Sequence, residues 1–360
     1  MFSINLFKKY IFLEFVKNIL KVGMIFIAFT IILDLFEEIT FFKNLEVHTF
    51  FPLFLSFLNA PSIIFDTLPF IFLISTQFFF INIIDKDELF IFKYSGLANT
   101  KVLFMLVIFS FCLGIILILG YYSFSSKLKS HYLEIKNKFT SDHEYLAVIT
   151  ENGIWLKDEV DGITNIANAD KINNNLLMNV SITQFNKNFD LLQTIEGNEV
   201  NIQTKNWIIK NAIISKNNST EKVEFLNFQS NFDLEKINNL FSNLSSLSLI
   251  QLYKLKKDYF SLGYSTVDIQ IFAHKIYSLP IYLSVMTLLS GILMLNSKYK
   301  KNKIFNIILG IFISVVIYYV NYFFSLLGAN GKIPILLSIW LPFIILILIS
   351  MIGLVRLNEK

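Results

Sequence analysis

Long apolar runs fill both ends of the chain and a polar stretch of roughly 140 residues separates them. Uncharged runs cover 67–84, 102–126, 276–297, 304–331 and 333–355. At about 1.5 Å of helical rise per residue, each can cross a hydrocarbon core of about 30 Å, the first only marginally. Lipid offers no partner to a free backbone N–H or C=O, so such spans are helical. A further span is expected near the N-terminus. Its uncharged core, 22–33, is short, so the helix must run past charged residues, with Lys17 and Lys21 reaching back to the headgroups. Its basic-then-apolar start is like that of a signal peptide, but Asp34, Glu37 and Glu38 follow instead of a small-residue cleavage site, so it is read as an uncleaved helix. The pattern predicts six spans, three on each side of the polar middle.

One stretch interrupts this count. Residues 47–65 are apolar apart from His48, but Pro52 and Pro61 fall within them. Asn59-Ala60-Pro61-Ser62 reads as a stop and restart, which predicts a short interfacial or packing helix at 46–59 and a separate span at 61–84, in preference to a seventh span.

The polar middle reads as strands at 144–150, 152–157, 176–184, 199–204, 206–215 and 222–229, short and rich in Val, Ile, Leu, Phe and Trp between turn residues. Glu151-Asn152-Gly153 is a hairpin signal. The expected fold is a membrane α-helical bundle of six transmembrane helices with an inserted all-β jelly-roll or sandwich domain, flanked by helices at 122–138 and 248–259. The expected domain bounds are 1–125, 126–262 and 263–360. Trp155, on a strand beside the turn, is expected to point into the β-domain.

Charge sets the orientation. Lys298, Lys300, Lys301 and Lys303 lie between two spans with no acid among them, and Lys8 and Lys9 precede the first span. Under the positive-inside rule both segments are cytoplasmic, as is the C-terminus, and the polar middle is outside, in the periplasm of a cell with two membranes. Composition agrees: 54% hydrophobic and 16% charged residues, with mean hydropathy +0.57, exclude an ordinary soluble enzyme and a disordered chain. The net charge of +4 is small and the lysines are scattered, so no nucleic acid is expected as a partner. Cys112 is the only cysteine, and the β-domain therefore has no disulfide.

Catalytic signatures are missing. The string Gly328-Ala-Asn-Gly331-Lys332 lacks the spacing of a phosphate-binding loop, no Gly-x-Ser-x-Gly elbow occurs, and the histidines are dispersed, so no metal site and no catalytic residue is expected. Asp34, Glu37, Glu38 and Asp66 are read as acids at the outer interface or at helix contacts rather than as a carboxylate dyad. The informative polar segment is 85–97, Asp-Lys-Asp-Glu-Leu-Phe-Ile-Phe-Lys-Tyr-Ser-Gly-Leu. Acids at the start, Leu89 and Phe92 on one face and Gly96 at the stop predict a short amphipathic cytoplasmic helix.

The whole chain resembles the lipopolysaccharide-export permeases of the LptF/LptG type. Glu88 to Gly96 is similar to that family's coupling helix. Gly153-Ile-Trp155-Leu-Lys157-Asp158 is similar to a strand of its periplasmic domain and leans towards LptG. Gly263-Tyr264 with Phe272-Ala-His-Lys275-Ile-Tyr-Ser-Leu-Pro280 is similar to its approach to the fourth span. The resemblance implies a non-catalytic inner-membrane subunit, heterodimeric with a homologous LptF-like permease. An LptB-like cytoplasmic ATPase dimer, docked on Glu88, Leu89, Phe92, Tyr94 and Gly96, supplies ATP hydrolysis; this chain binds no cofactor. Lipopolysaccharide is the implied cargo, passed to LptC/LptA-like bridge proteins. One departure stands out: the outer end of the first helix, basic in many LptG-type members, is acidic here. Lys43, Lys136, Lys138 and Lys275 are the alternative cations for lipid phosphates. A competing expectation is a membrane-anchored scaffold or receptor that moves nothing, which would have no use for a cytoplasmic coupling helix. A secondary transporter is disfavoured by the uncharged spans.

Overall fold

The computed structural model describes residues 2–45, 47–94, 96–139, 154–160, 162–173, 175–216, 219–234, 237, 243–261, 265–295 and 303–358. The chain divides into two compact units, Met1–Lys129 with Val267–Lys360, and Ser130–Thr266.

The first unit holds helices α1 (Phe2–Phe41), α2 (Phe51–Asp85), α3 (Glu88–Tyr94) and α4 (Asn99–Ile116), then a π-helical turn over Leu117–Tyr122 that runs into α5 (Ser123–Asn137), whose later residues fall in the second unit. After the strands come α6 (Leu249–Ser261) of the second unit and then, in the first, α7 (Val267–Leu295), α8 (Lys303–Ala329) and α9 (Ile335–Asn358). Among the described residues, six helices are long and apolar enough to span a membrane: α1, α2, the α4–α5 rod, α7, α8 and α9.

The expected break at Pro61 is absent. Residues 51–85 form one continuous helix with Pro52 in its first turn and Pro61 and Pro69 inside it. Proline is tolerated inside spans because neighbouring helices can meet the backbone groups it frees. Here the carbonyl left without its i+4 donor is that of Phe57, while the Tyr121 hydroxyl donates to Pro61 O at 3.1 Å and joins the third span to α2 beside the proline. The stretch 46–59 is thus mostly the start of the second span and not a separate interfacial helix.

α2 and α7 are the most buried spans, and α1 and α8 the least. In lipid the apolar effect gives little preference between helix and solvent, so small residues and hydrogen bonds hold such bundles together. Here Asn82 Nδ2 donates to Asn18 Oδ1 (3.1 Å), Ser290 Oγ to Leu73 O (2.8 Å) and Gln77 Nε2 to Asn306 O (2.8 Å), which ties α2 to α1, α7 and α8. Ser110 and Thr287 hydroxyls meet at 2.7 Å between α4 and α7. Beside them Gly114 lies so near α7 that a Cβ on it would fall 2.6 Å from Pro280 Cα. Leu73, Met286 and Ile317 form an apolar core between α2, α7 and α8.

The second unit contains an antiparallel sheet: β1 (Ile154–Val160), β2 (Ile163–Ala169), β3 (Lys171–Asn173), β4 (Leu176–Phe185), β5 (Leu191–Asn201), β6 (Asn206–Lys216) and β7 (Ser219–Gln229). Strands pair in the order β1-β2-β4-β5-β6-β7, with β3 beside β4. Strands β2 and β3 and most of β5 were not expected. β2 (Ile-Thr-Asn-Ile-Ala-Asn-Ala) is too polar to announce a strand, although the Asp161-Gly162 pair ahead of it is a hairpin signal; Gly162 has φ +78° and Val160 pairs with Ile163. The expected strand at 144–150 and turn at 151–153 lie outside the described residues.

The two ends of the sheet meet. Asp158 on β1 accepts from Ser230 Oγ (2.8 Å), Asn231 N (2.9 Å) and Asn231 Nδ2 (2.8 Å), and these donors directly follow β7. The sheet therefore folds over on itself, enclosing Leu156, Ala167, Ile182, Ile195, Trp207, Ile209 and Phe228. Among the described residues, the strands of the inserted all-β domain form one sheet closed by this clasp.

Candidate functional site

The helix α3 is seven residues long and begins one residue after Asp87, whose φ is +55°. It stops at Gly96, whose φ of +79° suits a residue without Cβ, and Leu97 N–H bonds to Phe92 O at 3.0 Å. Its periodicity separates two faces. Leu89 and Phe92 are buried, and the Phe92 ring sits edge-on to Phe7 of α1 with centroids 4.3 Å apart. Phe90 (61%), Ile91 (58%) and Tyr94 (85%) are exposed. Of the expected docking residues, Leu89 and Phe92 therefore anchor α3 to its own chain, while Tyr94 faces outward with Phe90 and Ile91, which sequence reasoning passed over.

Glu88 is held as well. The Tyr10 hydroxyl lies 2.8 Å from both of its carboxylate oxygens, and Lys86 Nζ is 4.0 Å away. Asp85 and Lys303 form an ion pair between the end of α2 and the start of α8. One end of the bundle thus carries α3 fastened to α1 through Tyr10–Glu88 and Phe7–Phe92.

Near the other end of α1, Asp34 and Glu38 are both buried, whereas Glu37 is exposed. Asn59 of α2 donates to Asp34 Oδ1 at 2.6 Å, and Lys129 Nζ of α5 donates to Asn59 Oδ1 at 2.6 Å. Asp34 Oδ2 is buried with no hydrogen-bond partner among the described residues. The acidic stretch thus turns two of its three acids into the bundle, so they belong to helix packing and do not form an outward acidic rim. Asp66 is exposed on α2.

The four candidate cations differ. Lys43, Lys138 and Lys275 are exposed. Lys136 is 1% exposed and donates to Tyr132 Oη at 2.8 Å, which withdraws its ammonium from lipid. In the β-domain motif, Gly153 lies outside the described residues. β1 alternates, burying Ile154, Leu156 and Asp158 and turning Trp155 (54%) and Lys157 outward. The expectation that Trp155 enters the core is corrected by this register, since a period of two leaves odd positions outside. The core tryptophan is Trp207: it is 1% exposed, its indole N–H donates to Phe232 O at 2.9 Å, and its ring centroid is 5.9 Å from that of Phe228. The run Trp207-Ile208-Ile209 marks a strand, but its alternation is only partial, so the sequence pattern did not single out Trp207.

Fold and site together define a multi-pass membrane protein with an inserted β-domain and a short outward-facing helix between its second and third spans. Residues 9–356 match the family described as lipopolysaccharide export system permease LptF/LptG. The chain belongs to this family, which makes it a permease of lipopolysaccharide export in the inner membrane. The lean towards LptG over LptF is not resolved by the match. No curated protein matches the sequence.

Proposed function

We propose that the chain is one of two homologous permease subunits of an ATP-driven transporter that takes lipopolysaccharide from the inner membrane and hands it to a periplasmic bridge. The observation that carries this reading is α3. Its inner face is locked to α1, and its outer face presents Phe90, Ile91 and Tyr94. That arrangement suits an apolar groove on an ATPase better than water. Force applied there passes to α1 through Glu88 and Phe92. The α1 and α8 spans, least buried within this chain, offer Leu20, Met24, Phe312, Tyr319 and Phe323 as apolar faces for a cavity shared with the second permease. Of the four expected cations, the exposed Lys43, Lys138 and Lys275 are available to lipid phosphates. The lysine-rich 298–303 segment supports cytoplasmic termini and a periplasmic 126–262.

Copurification tests the assembly. A tagged chain is expected to bring down a second permease, an ATPase and bound lipopolysaccharide. Recovery of the chain with neither an ATPase nor a glycolipid would favour an anchored scaffold.

A further inference from the structure

Helix α6 is amphipathic twice over. Leu252 and Leu255 are buried. On the opposite side Ile250 (83%), Tyr253 (75%) and Phe260 (82%) are among the most exposed large apolar residues of the chain. At 3.6 residues per turn these three fall within about 80° of one another around the helix. Lys257 lies within that sector, and Lys254 and Lys256, also exposed, border it on either side. An apolar ridge edged by lysines is the pattern of a helix lying in a membrane interface, with rings at acyl depth and ammonium groups among headgroup phosphates. The chain supplies the proximity. Five residues separate Ser261 from Val267, where the membrane-spanning α7 begins. An extended link of that length reaches only about 20 Å.

We infer that α6 rests on the bilayer surface from which the β-domain projects, with Ile250, Tyr253 and Phe260 against the lipid and Lys256 and Lys257 on anionic headgroups. Lysines in such a position are attracted only where the surface is negative, so the contact is selective for anionic lipid. The inference goes beyond transport: it holds whichever side of the membrane carries the β-domain, and whether or not an ATPase binds α3.

The full chain, with Cys112→Ala and a single Tyr253→Cys, Phe260→Cys or Asn188→Cys labelled with an environment-sensitive fluorophore, is placed in nanodiscs. One set is pure phosphatidylcholine and the other an equal mixture with phosphatidylglycerol. Asn188 is exposed in the turn between β4 and β5 and serves as the aqueous reference. Labels at 253 and 260 are expected to be quenched severalfold more by headgroup-proximal spin-labelled lipid than the label at 188, and more strongly in the mixed bilayer. Iodide should quench in the reverse order. Lys256→Glu with Lys257→Glu should remove the difference between the two bilayers. Labels at 253 and 260 that follow 188 would overturn the inference, as would protection from both quenchers, which would put protein on this face. Equal lipid quenching in both bilayers would overturn the anionic preference.

Discussion

Asp158→Ala removes the carboxylate that joins β1 to the segment after β7, leaving there the Glu159 carbonyl, which accepts from Asn231 Nδ2 at 2.8 Å. The carboxylate is buried and takes three hydrogen bonds, two from Asn231 and one from Ser230. Hydrogen bonds to a charged group contribute about 1.5–3 kcal/mol each. Their sum overstates the loss, because contacts of one residue are not additive and Asn231 is exposed, so water can satisfy its freed donors. A loss of about 3–5 kcal/mol follows, like that for breaking a buried charge pair. That is a large share of the roughly 5–15 kcal/mol that stabilises a typical domain, and this one has no disulfide. Asp158→Asn keeps one acceptor oxygen and should lose about half as much. Hydrogen exchange on the full chain in nanodiscs reads the effect strand by strand. Amides of β1 and of 228–232 should lose protection, whereas β4 and β5, at the middle of the sheet, should keep most of theirs. Unchanged protection of β1 in Asp158→Ala, within about 0.5 kcal/mol, would mean that the clasp does not close the sheet.

Trp207→Ala should destabilise the β-domain by about 3–5 kcal/mol, and Trp155→Ala by less than about 0.5 kcal/mol; limited proteolysis of the two variants should differ sharply, and equal sensitivity would contradict the register. Gly114→Leu should weaken the packing of α4 on α7 by about 1–3 kcal/mol or more and lower the thermal midpoint in detergent; an unchanged midpoint would show that the helices can separate at no cost. Phe90→Asp and Tyr94→Asp should abolish ATPase copurification while the chain stays folded, whereas Leu89→Ala should destabilise the chain itself; normal ATPase recovery in both Asp variants would remove the docking face. Single cysteines at Lys86 and Asn188, with Cys112→Ala, should react with an impermeant maleimide from opposite sides of the membrane, and reaction from one side only would end the six-span topology.

The membrane half was legible because a span is a property of composition: uncharged runs long enough to cross lipid leave no alternative to helix. Pro61 misled because proline counts as a breaker in water, where the freed carbonyl is solvated and the chain can turn. Inside a membrane bundle, continuing the helix keeps more backbone bonds than turning does. The strands were legible where they were apolar, as in β4, β6 and β7, and lost where polar residues fill them, as in β2 and most of β5. There it is pairing with neighbouring strands that makes a strand, which local pattern does not record. The short helix α3 was readable from its acids, its apolar residues and Gly96. Which face it turns outward was not, because Phe7 and Tyr10, more than seventy residues earlier in the chain, decide it. The acids of α1 had the same limit: Asp34 is held by Asn59 of α2, which in turn accepts from Lys129 of α5.

Transport is the central claim, and transfer of the glycolipid tests it most directly. The chain, reconstituted in proteoliposomes with its copurified permease partner, ATPase and lipopolysaccharide, is given ATP and a soluble bridge protein carrying a photocrosslinker. The account predicts lipopolysaccharide adducts on the bridge protein that require ATP and disappear when Phe90→Asp and Tyr94→Asp are introduced into this chain. Adduct formation that is equal with and without ATP, or undiminished when this chain is omitted, would contradict it.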